Sequence, residues 1–252
     1  MEISYTRYRV YRECPWKYKL HFVDGRKIPL DAKSSFGLSL HRALEQWLRG
    51  GERDLESLRS CLRSQWLAQG YPDEDAESRA YAKAERVLAR FQEEEESRRT
   101  RTVAVEKEFV WPLGTHAVRG MIDRIDQGPD GGYELIDYKT VTGVPAPAEV
   151  AADPQLRFYA LGAERGLRMR PAALTVDCVT VGARVSAPYD GSGAAALEAD
   201  IRAAASGIEA GVFAPALEGR IGRAHSLRPL RGGSGQRHTA KPMPQPVPAA
   251  ER

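Results

Sequence analysis

Residues 120–140 read GMIDRIDQGPDGGYELIDYKT. Two runs of apolar residues flank Gln-Gly-Pro-Asp-Gly-Gly, a connection rich in turn formers, so the stretch reads as a β-hairpin. Its charges fall in awkward places. Asp123 interrupts Met121, Ile122 and Ile125, and Asp137 follows directly on Leu135 and Ile136. A carboxylate buried without a partner costs several kcal/mol or shifts its pKa, so an aspartate in each strand calls for a partner.

Side chains two apart on a strand share a face. Asp137 and Lys139 therefore point one way, Ile136 and Tyr138 the other, and Asp123 on the neighbouring strand can join the first face. Two converging carboxylates repel, and a hard divalent cation removes the conflict. Mg²⁺ takes a few carboxylates together with waters and a phosphate oxygen, and the backbone carbonyl beside such a pair is a further ligand. A lysine alongside stabilises negative charge developing on a phosphoryl group. The alternative is a surface ion pair between Asp137 and Lys139, worth little. The Asp-x-Lys triplet does not decide between them, because Asp31-Ala32-Lys33 repeats it in an expected loop.

Outward from the hairpin, residues 102–113 (TVAVEKEFVWPL) alternate as a strand does. After it, DPQLRFYALGAERG at 153–166 predicts a helix with Asp153 as N-cap, Pro154 in the first turn and Gly166 at its end. A buried strand is expected over 174–181 and a closing helix over 193–210. Before the hairpin the pattern is helical. SSFGLSLHRALEQWLRGG at 34–51 places Phe36, Leu40, Leu44, Trp47 and Leu48 on one stripe behind a serine cap, and further helices are expected over 55–69 and 75–96. The last of these ends in an acidic run read as a solvated face. The order indicates an α/β fold with a mixed sheet flanked by helices. Residues 1–100 form its helical part, 101–214 its core, and 215–252 a basic, Pro- and Gly-rich tail expected to be disordered.

The net charge of +3 is a property of that tail. Residues 219–252 hold seven Lys or Arg and one acidic residue, which leaves residues 1–218 at −3. Nucleic-acid affinity must then come from local patches or the tail. No apolar run reaches the roughly 20 residues that span a bilayer, and the first residues lack a leader-like apolar segment, so no membrane partner is expected and the cytoplasm is the expected location. Cys14, Cys61 and Cys178 lie far apart with no Cys-x-x-Cys pair, which argues against a disulfide scaffold and a zinc knuckle.

The ordered set GMID, IDYKT, His41 in SLHRALE, and Gln155 with Tyr159 in QLRFY resembles the PD-(D/E)xK nuclease superfamily in its RecB-like exonuclease branch. That branch includes the nuclease domain of AddB and adaptation nucleases of CRISPR systems. The opening SYTRYRVYRECPWKYKL is similar to the branch's Cys-Pro segment. The resemblance implies a restriction-endonuclease-like fold, hydrolysis of DNA phosphodiester bonds in repair or recombination, and Mg²⁺ or Mn²⁺ as cofactor. By resemblance, His41, Asp123, Asp137 and the Tyr138 carbonyl hold the metal. Lys139 assists the attacking water, and Gln155 and Tyr159 orient water or strand. Read alone, His41 is a structural histidine at the edge of an apolar stripe. Glu106 matches an acidic position of the branch and reads equally as a supporting group behind the ligands or as the polar side of a strand. Arg119 and Arg124 are candidate phosphate contacts.

Many relatives carry four cysteines around an iron–sulfur cluster. Only Cys14 matches, so no cluster is expected, and Cys14 reads as a small buried residue. The implied partners are DNA, as single strands or ends, and a helicase or repair subunit. The competing reading is a non-catalytic nuclease-like module for DNA binding or helicase docking.

Overall fold

A computed structural model describes residues 1–215, and the tail expectation for 215–252 lies almost wholly outside the described residues. Strand β1 (Glu2–Ile3) leads into α1 (Tyr5–Glu13), α2 (Pro15–Tyr18) and one π-helical turn (Lys19–Val23). Then come α3 (Ala32–Arg49), α4 (Leu55–Gln65) and α5 (Glu74–Glu96). The strands β2 (Arg101–Leu113), β3 (His116–Gln127) and β4 (Tyr133–Tyr138) follow, with α6 (Pro147–Ala152), α7 (Pro154–Gly166), β5 (Pro171–Cys178), β6 (Ala183–Pro188) and α8 (Ala194–Glu209). The ranges 1–100 and 101–214 fall in a single unit, tied together by β1 pairing with β3. None of the described helices is long and apolar enough to cross a membrane.

The six strands make one mixed sheet. β3 pairs antiparallel with β2 along its length, antiparallel with β4 at its far end and parallel with β1 at its near end. β4 and β5 are parallel across the α6–α7 crossover, and β6 closes the edge antiparallel to β5. Leu135 and Ile136, adjacent on β4, enter different cores. Leu135 joins Phe109, Ile122, Leu156, Phe158 and Ile201 on the side of α7 and α8. Ile136 joins Leu40, Leu44, Trp47, Leu88 and Phe91 on the side of α3 and α5. The apolar stripe of α3 and the alternation of β4 fit each other because each supplies one face of the same layer.

Phe109 fixes how close α7 comes to the sheet. Its ring occupies the space a Cβ would need at both Gly120 and Gly162, at 2.3 Å and 2.2 Å. Any side chain at either position would have to displace this buried ring.

Several sequence boundaries move. α3 begins at Ala32 because the Asp31 carboxylate accepts from Ser34 N–H at 2.8 Å, so the cap is Asp31 rather than a serine, and the second Asp-x-Lys triplet opens a helix rather than a loop. α4 stops at Gln65, and β5 runs from Pro171 to Cys178 instead of reaching 181. α6, β1 and β6 are too short to leave a periodic signal. Asp153 does cap α7, accepting from Gln155 and Leu156 N–H at 2.8 and 2.9 Å. Cys14 is half-buried rather than buried. The acidic run ending α5 is not all solvated. Glu95 turns inward to Arg124 at 2.7 Å and Arg98 at 3.1 Å.

Candidate active site

The strand pair β2–β3 breaks its pleat where Glu106 stands opposite Asp123. Ile122 and Ile125, three apart, pack in the same core, which strict alternation forbids. Residues 122–126 are all buried as a result. On β2, Glu106 takes φ +46°, a left-handed conformation costing a non-glycine residue about 1–3 kcal/mol. The irregularity lets side chains of both strands converge on the end of β4.

There the hairpin, α3 and α7 meet. Asp123 Oδ2 accepts the Tyr138 backbone N–H at 3.0 Å and lies 3.3 Å from His41 Nε2. His41 Nε2 is also 3.0 Å from the Tyr138 carbonyl oxygen, so a proton on that nitrogen is shared between carbonyl and carboxylate. One ligand atom each from His41, Glu106 and Asp123 lie within 4.8 Å of one another. Glu106, which the sequence left evenly divided between two readings, therefore stands among the donors themselves.

Asp137 lies beside them on the same face. It is 2% exposed, and its Oδ2 accepts no aligned hydrogen bond, being met by the Lys139 ammonium at 2.5 Å. Lys139 continues the ladder past β4 through its N–H to the Asp177 carbonyl at 2.9 Å. Its ammonium donates to Gln155 Oε1 at 2.7 Å, and Gln155 Nε2 donates to Tyr159 Oη at 3.2 Å. One chain of contacts thus links Asp137, Lys139, Gln155 and Tyr159, with the last two a turn apart on α7. Tyr5, which sequence reasoning passed over, packs edge-on against Tyr159 with ring centroids 6.2 Å apart. No local motif in the sequence announces that contact.

The protonation equilibria show an excess of negative charge. Burial, then the charge of Asp123, pushes Asp137 up to about 7 against the pull of Lys139 and His41. Burial, then Asp123 and Glu45, pushes Glu106 to about 7 as well. Asp123 is raised by its own burial, opposed by His41, the Tyr138 N–H and Lys139. Three carboxylates thus share a pocket with one ammonium and one imidazole. An oxygen-rich set with one histidine, short of positive charge, fits a hard divalent cation. Ligation through His41 Nε2 requires its proton on Nδ1.

The two arginines read as phosphate contacts go elsewhere. Arg124 is fully buried on the opposite face of the sheet, where Nε and Nη2 donate to Asp126 at 2.5 and 2.8 Å and Nη1 to Glu95 at 2.8 Å. It is a structural cation and cannot touch DNA. Strand alternation places it there, one residue out of phase with Asp123. Arg119 is exposed but held by Glu2 at 3.2 Å and Glu108 at 3.1 Å, four residues or about 13 Å along β3 from Asp123.

A mixed sheet between helices, with two aspartates and a lysine at one strand end and Gln-x-x-x-Tyr on the crossover helix, defines a class. The chain belongs to the PD-(D/E)XK nuclease superfamily, whose sequence profile matches residues 2–220. The fold is accordingly restriction-endonuclease-like. No curated protein matches this chain.

Proposed function

We propose that the protein is a divalent-metal-dependent DNA nuclease of the RecB-like exonuclease kind, acting in the cytoplasm on single strands or ends during repair or recombination, alongside a helicase or repair subunit. The observation that carries this reading is the convergence of His41, Glu106 and Asp123 donors beside the Asp137–Lys139–Gln155 chain. His41, Asp123, Asp137 and the Tyr138 carbonyl would hold Mg²⁺ or Mn²⁺, with Glu106 as a further carboxylate in reach. When bound, the cation supplies a Lewis acid that draws charge from a phosphodiester oxygen.

The chain's own residues do the rest. Lys139, braced between Asp137 and Gln155, neutralises charge developing on the phosphoryl group and orients water toward it. Tyr159 receives the Gln155 amide, so its own hydroxyl proton is free to point at a phosphate oxygen, and burial keeps that hydroxyl protonated. The −3 charge of residues 1–218 fits a substrate held by a few local contacts, as single strands and ends are, rather than by a long duplex track.

Purified protein with Mn²⁺ is expected to shorten end-labelled single-stranded DNA, and Asp137→Ala to abolish that activity. Cleavage that survives the substitution would sink the assignment. Failure of Mn²⁺ to bind in calorimetry with DNA present would move the reading to a non-catalytic module.

A further inference from the structure

With Arg124 buried and Arg119 tied to two carboxylates, the phosphates of a bound strand need other partners. Helix α3 provides them next to the site. Arg42 follows His41 directly, Arg49 lies two turns on, and both are exposed. They line a cavity of about 520 Å³ with Glu45, Gln46, Gly50 and Gln65. His41, Glu45 and Arg49 recur every four residues, so they share one helix face. Glu45, which lines the cavity, lies one turn along that face from His41, a member of the donor cluster.

The two guanidiniums differ in their state. Arg49 Nη1 is held by Glu45 Oε1 at 2.7 Å. Among the described residues no carboxylate pairs with Arg42. The cavity's other contacts are neutral, with Gln46 Oε1 accepting from Ser64 Oγ at 3.1 Å and Gln65 Nε2 at 2.9 Å. Arg42 and Arg49 are seven residues apart, about 10 Å along the helix, so their guanidiniums have room to take separate phosphates. Two guanidiniums at that spacing can each take a phosphate of a polymer bidentately.

We propose that this cavity is a subsite for the backbone phosphates of a nucleic-acid strand flanking the cleaved bond, bound by Arg42 and Arg49. The assignment rests on the nuclease reading above. Glu45 holds Arg49 in place until a phosphate competes for it, so the arginine is pre-positioned at little cost in side-chain order.

The test is binding of a fluorescent single-stranded oligonucleotide to the full chain with chelator present, followed by anisotropy over a range of salt. Each phosphate contact on a single strand contributes about 0.7 to the slope of log affinity against log salt, so Arg42→Gln with Arg49→Gln should lower it by about 1.4. Affinity at low salt should fall about tenfold per arginine lost. Both positions are exposed, and an unchanged melting temperature checks that the fold survives. Arg168→Gln with Arg170→Gln, at the far end of α7 from Gln155, serves as the control and should change neither quantity. A slope unchanged in the Arg42/Arg49 variant, or one lowered equally by the control, would overturn the subsite. In cleavage assays with Mn²⁺ the Arg42/Arg49 variant should raise KM for DNA far more than it lowers kcat, and the reverse split would also overturn it. Absence of cleavage by the unaltered protein would defeat the nuclease reading, while the salt slope would still decide whether the cavity takes a strand.

Discussion

Asp123 and Asp126 lie three residues apart on one strand, 8% and 0% exposed, yet they are in opposite electrostatic states. For Asp126 the penalty of burial is outweighed by Arg124, Thr100 and Arg184, and its carboxyl sits below the usual range. For Asp123 burial wins over His41, the Tyr138 N–H and Lys139, and the carboxyl sits above it. Behind the sheet the charges close among themselves, with Arg124 meeting Asp126 and Glu95, and Arg98 meeting Glu95 and Asp177 at 2.7 Å. In front they do not. Burial of a carboxylate therefore does not mark a site; burial without a sufficient resident cation does.

The strongest way to break this contrast is Asp123→Asn. It should reduce Mn²⁺-dependent DNA cleavage about 10³-fold or more, while the metal-free protein melts no lower than the unaltered one because a repulsive charge has gone. A large fall in melting temperature would show that Asp123 is structural after all. Asp126→Ala should do the opposite. Leaving Arg124 buried with one partner fewer should cost about 3–5 kcal/mol in denaturant unfolding, with cleavage per folded molecule retained.

A smaller effect lies in pH. Asp137 and Glu106 titrate near 7 in the folded chain against ordinary values of 3.8 and 4.5. The folded state then binds more protons than the unfolded state between those limits. Their contribution is fully present below about pH 4 and is lost as pH rises through about 7. Metal-free protein should thus melt at a lower temperature at pH 8 than at pH 5. Asp123→Asn should flatten that slope, since the charge of Asp123 is the second cause of both shifts. A melting temperature that rises between pH 5 and 8 would contradict the account.

The hairpin, the capped crossover helix and the apolar stripe of α3 were legible because each carries a period or a cap in consecutive residues. So was the pairing of Asp137 with Lys139, which follows from strand alternation alone. The same alternation turns Arg124, one residue out of phase with Asp123, away from the phosphates it was expected to contact. The role of Glu106 was not legible, because the reversed pleat that turns it toward Asp123 depends on the neighbouring strand. Arg42 and Arg49 carry no signal in the sequence, because the cavity they line also needs Gln65 of α4. Short elements such as α6 and β6 are set by the chain that packs around them, and a window of six residues carries too little pattern to show it.

Glu106 occupies a backbone conformation that glycine would adopt without strain. Folding alone would be served better by a residue with no side chain there, and the chain instead keeps a carboxylate beside Asp123 and His41. The strand is thus a place where durability and chemical capacity pull in opposite directions. An engineer seeking a sturdier scaffold would replace this residue early, and would obtain a protein that outlasts the original while holding one oxygen donor fewer.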